Sequence, residues 1–314
     1  MAVQVPKRTY TGAIRPIEVG KGDKAFKVGG ETAYPFYTFE GEMPHEPRFG
    51  LDVLDIEPDD WADSLVAIYG DALKDPAAWA KKCVEEFGAD LVQVTLAGTN
   101  PNDKNLPPEH AVEVVKAVCE AVDVPVSVWG STAPDKDTEV LRAVAEAMAG
   151  RRLAIGPVQE DNHKQLGAAA LAYHHVVIAS TPIDINLAKQ LNVLLGNLGV
   201  KDENILIDPT VGGLGYGLEY SYSVMERARM AALTQQDEKL QFPMYCNLGI
   251  EVWKTKESKL PDGEMNLGRQ KERGVLMEAI TATTLLAAGA DVLIMRHPEA
   301  MKKARELSAE LMAD

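Results

Sequence analysis

From residue 49 onward, short apolar runs rich in β-branched residues alternate with stretches whose apolar positions recur at helical spacing. Eight runs stand out: "FGLDVLDI", "DLVQVTLA", "VPVSVWG", "RLAIGPV", "HHVVIAS", "NILIDPT", "FPMYCNL" and "DVLIMRH". In the segment "PEHAVEVVKAVCEAV" between two of them, Ala111, Val114, Val115, Val118 and Val122 form one apolar stripe. Strands interleaved with helices predict βα units and a parallel sheet covered on both faces, which is why several runs are apolar without alternation. Eight such units in series predict an α/β fold of the (β/α)8 TIM barrel type. An open doubly wound sheet shares the pattern, because periodicity does not show closure.

Helix signals support the division. Asp75 is placed to cap, Pro76 to open and Gly88 to end one helix, and Pro107–Pro108, Asp135–Asp137 and Pro298–Glu299 repeat the start signal. Two segments exceed what a barrel needs. Residues 1–48 are rich in Gly, Pro and aromatic residues and predict an N-terminal extended or hairpin arm, with residues 49–314 as the barrel domain. A segment at about 248–270, after the seventh run, is too long for a routine βα connection and reads as a long loop that covers a site or meets a partner.

Composition narrows the partners. A formal net charge of −15, with no local run of Lys and Arg, excludes a nucleic-acid partner. No apolar run approaches the roughly 20 residues that span a bilayer, and the first residues carry no hydrophobic signal core, so the expected location is cytoplasmic with no membrane partner. Cys83, Cys119 and Cys246 form no C-x-x-C pair, which fits a reducing compartment. Three thiols also fall short of the four thiolates of an ordinary iron–sulfur cluster; Cys83 and Cys119 are expected in helix cores.

A barrel carries its chemistry at the C-terminal ends of its strands. Those positions are Thr95, Thr99, Asn100, Trp129, Ser131, Pro157–Gln159, Ser180, Thr181, Asp208–Gly213, Asn247, Arg296 and His297. No lysine ends the fifth, sixth or seventh run, which argues against a Schiff-base aldolase, and no carboxylate pair joins a histidine in metal-ligand spacing. No catalytic or metal-ligating residue is therefore assigned. Hydroxyl, amide and glycine N–H groups hydrogen-bond neutral amides well and are poor acids or bases. Asp208 is the exception, and a strand-end Asp before Pro also serves to brace the next loop.

The glycines of "ILIDPTVGGLGYG" do not make a dinucleotide fingerprint. Counting G-x-G-x-x-G from Gly213 ends on Leu218, and from Gly215 on Tyr220. The stretch "DNHKQLG" likewise misses the cobalt-ligating D-x-H-x-x-G pattern, its glycine arriving one place late at Gly167. His163 is expected at a helix start, as a cap or on the surface, and His174 and His175 at the start of the fifth strand.

The series "QVTLAGTNPND", "VWGSTAPDKD", "ILIDPTVGGLGYGLEYSYSVMERAR", "YCNLGIEVW" and "KERGVLMEAITATTLLAAGADVLIMRHPEA" resembles the small subunit of the corrinoid iron–sulfur protein of the anaerobic acetyl-CoA pathway, the acetyl-CoA decarbonylase/synthase delta-type subunit. The resemblance spans essentially the whole chain and rests on the order of these stretches. It implies a heterodimer with a large corrinoid iron–sulfur subunit. A cobamide is shared between the two chains, and a 4Fe-4S cluster sits on the partner only. It further implies that a methyl group is received from methyltetrahydrofolate through a methyltransferase and passed to acetyl-CoA synthase/CO dehydrogenase. Cofactor-binding positions expected on this basis are Asp208, Thr210, Gly212, Gly213, Asn247, Thr99, Ser131 and Thr181, with the two glycines letting backbone approach a flat ligand. Two alternatives stay open: a free-standing pterin-binding methyltransferase in which Asp208 and Asn247 meet the pterin, and a structural barrel that braces the large subunit.

Overall fold

A computed structural model describes residues 5–313; residues 1–4 of the expected arm and residue 314 lie outside the described residues. The first two strands, β1 (Ile17–Val19) and β2 (Phe26–Val28), form an antiparallel hairpin in which Ile17 pairs with Val28. The other eight are β3 (Arg48–Leu54), β4 (Leu91–Thr95), β5 (Val126–Trp129), β6 (Ala154–Val158), β7 (Val176–Ser180), β8 (Ile205–Asp208), β9 (Met244–Asn247) and β10 (Ala290–Met295). They pair in parallel and in sequence order, and β10 pairs with β3, closing the barrel. Closure decides against the open sheet.

Around the barrel run α1 (Asp63–Tyr69), α2 (Pro76–Glu85), α3 (Pro108–Ala121), α4 (Pro134–Ala147), α5 (His163–Tyr173), α6 (Ile185–Leu198), α7 (Leu218–Thr234), α8 (Leu248–Trp253), α9 (Lys256–Lys259), α10 (Gln270–Ala288) and α11 (Pro298–Met312). The start signals at Asp75, Pro108 and Pro298 act as the sequence implies: Asp75 accepts from Ala77 N at 2.9 Å, and Pro76, Pro108 and Pro298 open their helices, while the helix expected from Asp135–Asp137 opens at Pro134 with both acids in its first turn. The stripe on α3 buries Ala111, Val115 and Val118. Cys83 is buried, Cys119 half-buried and Cys246 buried on β9.

The segment after β9 is not an irregular loop. It turns straight into α8 after Asn247 and continues through α9 and a 3-10 turn at Glu264–Asn266 before α10 begins. The fifth barrel strand likewise starts later than the histidines suggest. His174 is the left-handed C-cap of α5, while His175 is buried, accepting from Leu153 N at Nδ1 and bonding Ala145 O at Nε2.

The hairpin lies under the N-terminal ends of the barrel strands. Ile17, Val19 and Val28 join the main core, and Arg152, just before β6, donates to Glu18 O at 3.1 Å. Nearby, Arg229 of α7 pairs with Asp291 of β10 and donates to Gly289 O at 2.6 Å. Glu31 faces this pair, and burial followed by the Asp291 charge holds its pKa well above the usual carboxylate range. With the floor sealed, the C-terminal strand ends form the accessible mouth.

Candidate functional site at the barrel mouth

A cavity of about 260 Å³ opens among the C-terminal ends of β5 to β9. Trp129, Pro134, Pro157, Val211 and Ile250 supply apolar wall, and Asp208, Asn247, Asn162, Asp137 and Glu251 supply most of its polar groups. The Trp129 ring is held flat against Tyr245, with centroids 6.2 Å apart and planes 8° from parallel. Tyr245 is fixed in turn, since its hydroxyl donates to Gln93 Oε1 at 2.7 Å and lies 2.8 Å from Ser127 Oγ. Gln93 Nε2 continues this buried network to Asp52 Oδ1 at 3.1 Å, and Arg296 Nε reaches Asp52 Oδ2 at 3.0 Å. Polar groups inside a barrel are stable only when paired in this way.

Asp208 closes β8 with its carboxyl group inside. Ser180 Oγ donates to its Oδ2 at 2.6 Å and Thr210 N to its Oδ1 at 3.0 Å, so it braces the following loop and lines the cavity at once. Burial pushes its pKa up to about 6, against the opposing hydrogen bonds from Ser180 and Thr210, with a further push from the Glu251 charge. Each oxygen keeps acceptor capacity after these bonds.

Asn247 is the opposite case. It is only 6% exposed, yet neither Oδ1 nor Nδ2 has a hydrogen-bond partner in the protein. A buried polar group left unpaired costs about 1–3 kcal/mol, and nothing in the protein fixes which end of the amide faces the cavity.

The other expected positions separate. Thr210 stands exposed at the rim at φ 54°, its Oγ1 donating to Thr181 O at 2.6 Å. The Thr181 hydroxyl is buried without a partner. Ser131 gives both its N–H and its hydroxyl to Asp137 Oδ1, each at 2.7 Å, and burial raises the Asp137 pKa. Thr99 is buried in a 3-10 turn, donating to Leu96 O at 2.8 Å, and does not line the cavity. Gly212 and Gly213 are buried and also lie outside its lining. The Gly212 N–H is committed to Ser221 Oγ, and a Cβ there would stand 2.5 Å from Tyr216 O, so that glycine serves its own loop.

Asp137, Asn162, Ile250 and Glu251 line the cavity without having been singled out as site residues. The two acids sit within helices, and Asn162 within a stretch that a failed cobalt motif had drawn attention to. His163 opens α5 but is buried rather than on the surface, with Nδ1 2.6 Å from Glu160 O. Among the described residues, no group of three His, Cys, Asp or Glu side chains is arranged to hold a metal ion, and no helix is long and apolar enough to cross a membrane.

The sequence profile described as CO dehydrogenase/acetyl-CoA synthase delta subunit matches residues 16–309. The chain belongs to this family. It is 37% identical to the acetyl-CoA decarbonylase/synthase complex subunit delta of Archaeoglobus fulgidus, over 96% of this chain and 69% of the relative. It is also 37% identical to the subunit of the same name from Methanopyrus kandleri, over 94% of this chain and 72% of the relative. Among solved structures, dihydropteroate synthases share the barrel. The Xanthomonas albilineans enzyme aligns with a TM-score of 0.58 at 19% identity over 95% of this chain and 99% of its own. The Coxiella burnetii enzyme aligns at 0.59 and 13% identity over 96% of this chain and 100% of its own. At such identities the likeness establishes the (β/α)8 fold of this delta-family chain and nothing further.

Proposed function

We propose that this delta-family chain is a corrinoid-binding methyl-carrier subunit. Together with a larger iron–sulfur subunit it receives a methyl group from methyltetrahydrofolate, through a methyltransferase, and delivers it to acetyl-CoA synthase. The observation that carries the reading is the set of mouth groups left open: the Asn247 amide, which lines the cavity and is buried without a partner, and the exposed Thr210 hydroxyl, beside the carboxyl groups of Asp208, Asp137 and Glu251. A cobamide carries carboxamide arms around its rim. The exposed hydroxyl of Thr210 would hydrogen-bond such an arm, and Leu214 and Tyr216, exposed on the loop after β8, would lie against apolar corrin edge; the Thr181 hydroxyl is buried outside the cavity lining.

When bound, the cobamide supplies a cobalt centre that accepts a methyl group and gives it up again. This chain's own residues would hold the corrin, shield it from water and leave one face open. The three cysteines are distributed between helices and β9, with burial raising the pKa of each, so the 4Fe-4S cluster is assigned to the partner.

The native complex containing this chain tests the reading. Corrinoid absorption bands with about one cobalt and, for a 4Fe-4S cluster, about four irons per heterodimer are expected. A complex free of cobalt would reject it.

A further inference from the structure

At the end of the barrel opposite the mouth, three charged side chains are buried together. Glu31, which follows β2 in the arm, is 4% exposed, Arg229 of α7 is 2% exposed and Asp291 of β10 is 4% exposed. They line a void of about 10 Å³ whose other lining residues, from the arm and the turn before β10, are uncharged. Arg229 is committed to Asp291 Oδ2 and to Gly289 O, and Met244 N donates a further bond to Asp291 Oδ2 at 2.6 Å. None of these bonds reaches the Glu31 side chain, whose Oε2 is buried without a partner.

Two carboxylates facing one guanidinium leave a negative charge in excess, and a void of this size admits at most a single water. An unpaired carboxylate in such a place takes up a proton instead of staying ionised. A proton on Glu31 cancels the excess charge, and the resulting O–H donates to the Asp291 carboxylate and gives the orphaned oxygen its partner. Burial first, and the Asp291 charge second, favour that protonated state. If the proton leaves to water, Asp291 still has Arg229 and Met244 N, so Glu31 is the member that is expelled.

Glu31 leads into a compact loop. Thr32 N donates to Glu42 O at 3.0 Å and Glu42 N to Thr32 Oγ1 at 2.8 Å, pinching residues 32–42 together. The loop carries a ladder of rings, with Tyr34 and Tyr37 centroids 6.2 Å apart and Tyr37 and Phe39 centroids 5.3 Å apart. Buried Ala33 and Pro35 seat it above the acid pair, and the Tyr34 hydroxyl tethers it to Glu226 O of α7 at 2.9 Å. Beneath it, Ile14 N donates to Glu31 O at 2.9 Å and Gly30 N to Ile14 O at 3.0 Å, so movement of Glu31 breaks the pairing inside the arm as well.

We infer that a proton shared between Glu31 and Asp291 latches the aromatic loop of residues 32–42 to the barrel floor, and that loss of this proton as pH rises lets the loop lift away from α7 and β10. The sign is that of an acid held protonated by the fold: the latch is closed below the ordinary carboxylate pKa and opens as pH rises through the folded value. The latch is independent of the carrier reading.

Hydrogen–deuterium exchange of the full chain between pH 5.5 and pH 9, corrected for the intrinsic pH dependence of amide exchange, tests it on peptides containing Ile14 and Gly30–Thr32. Protection there is expected to fall roughly tenfold for each pH unit beyond the folded pKa of Glu31, while peptides from β6 and β7 stay protected. Glu31→Gln, a neutral group of the same shape, should abolish the fall. Tyr34→Phe removes the tether without touching the acids, so it should raise exchange at every pH and leave the midpoint in place; it serves as the second variant should Glu31→Gln fail to fold by circular dichroism. Protection that does not change with pH in the wild type, or a fall that persists in Glu31→Gln, overturns the latch. So does a midpoint that follows sodium or potassium concentration at constant ionic strength, because a bound cation would then cancel the charge in place of the proton.

Discussion

Ser180 Oγ, at the end of β7, donates a 2.6 Å hydrogen bond to Asp208 Oδ2, directly across the parallel ladder at the end of β8. The pair holds an ionisable group inside the mouth in a fixed orientation, and its energetics depend on pH. Because burial raises the folded pKa of Asp208 from 3.8 to about 6, its stabilising contribution is full below the unfolded pKa and is lost as pH rises through about 6. Asp208→Asn keeps a neutral group of the same shape. Its stability relative to wild type should improve by up to about 3 kcal/mol between pH 4 and pH 7, read from urea midpoints; a pH-independent difference would contradict the burial. Glu251 on α8 is the charged group that adds to the shift, so Glu251→Gln should lower the midpoint of this transition.

At the floor, Glu31 behaves in the same sense and for the same leading reason, burial. Its proton is retained by burial and by Asp291 of β10, with Arg229 of α7 opposing. The sign is again that of a raised acid: stability is present below the unfolded carboxylate pKa and declines as pH rises toward the folded value. Thermal melts at pH 5 and pH 8 should show a smaller drop in Tm for Glu31→Gln than for wild type.

Tyr245→Phe removes one hydroxyl that serves both Gln93 Oε1 and Ser127 Oγ deep in the barrel. Leaving those partners unpaired should cost about 1–3 kcal/mol in chemical denaturation. The ring itself remains, so Trp129 keeps its stacking surface and the near-ultraviolet circular dichroism of the folded variant should persist.

The adjacent glycines after β8 should respond differently. A Cβ at Gly212 would meet Tyr216 O at 2.5 Å, whereas at Gly213 its nearest neighbour is Glu251 O at 3.5 Å, an ordinary contact. Gly212→Ala should therefore lose about 1–3 kcal/mol through forced backbone movement, and Gly213→Ala should leave the unfolding midpoint nearly unchanged.

Several of these positions were legible in the chain. Asp208 and Asn247 follow from the rule that barrel strands end at the site, and both line the cavity. Trp129 also ends a strand, but nothing local announces that Tyr245, a residue on a strand four places on, would back it. Glu251 and Ile250 were hidden because a segment without strong helix signals reads as loop, while in the fold it winds into α8 directly from β9. Gly212 illustrates the converse: a glycine beside a site suggests ligand approach, yet its Cβ space is taken by its own turn.

Local pattern by itself determined the eight βα units, the helix starts near Asp75, Pro108, Asp135 and Pro298, and the failure of the glycine spacing to make a dinucleotide fingerprint. Those features depend on residues close together along the chain, where spacing and side-chain type carry the information. Closure through β10 and β3, the sealing of the floor by the hairpin, and the isolation of the Asn247 amide beside Asp208 were decided only by the tertiary structure. Each depends on groups far apart in sequence being brought together, and whether a buried polar atom finds a partner is a property of that packing alone.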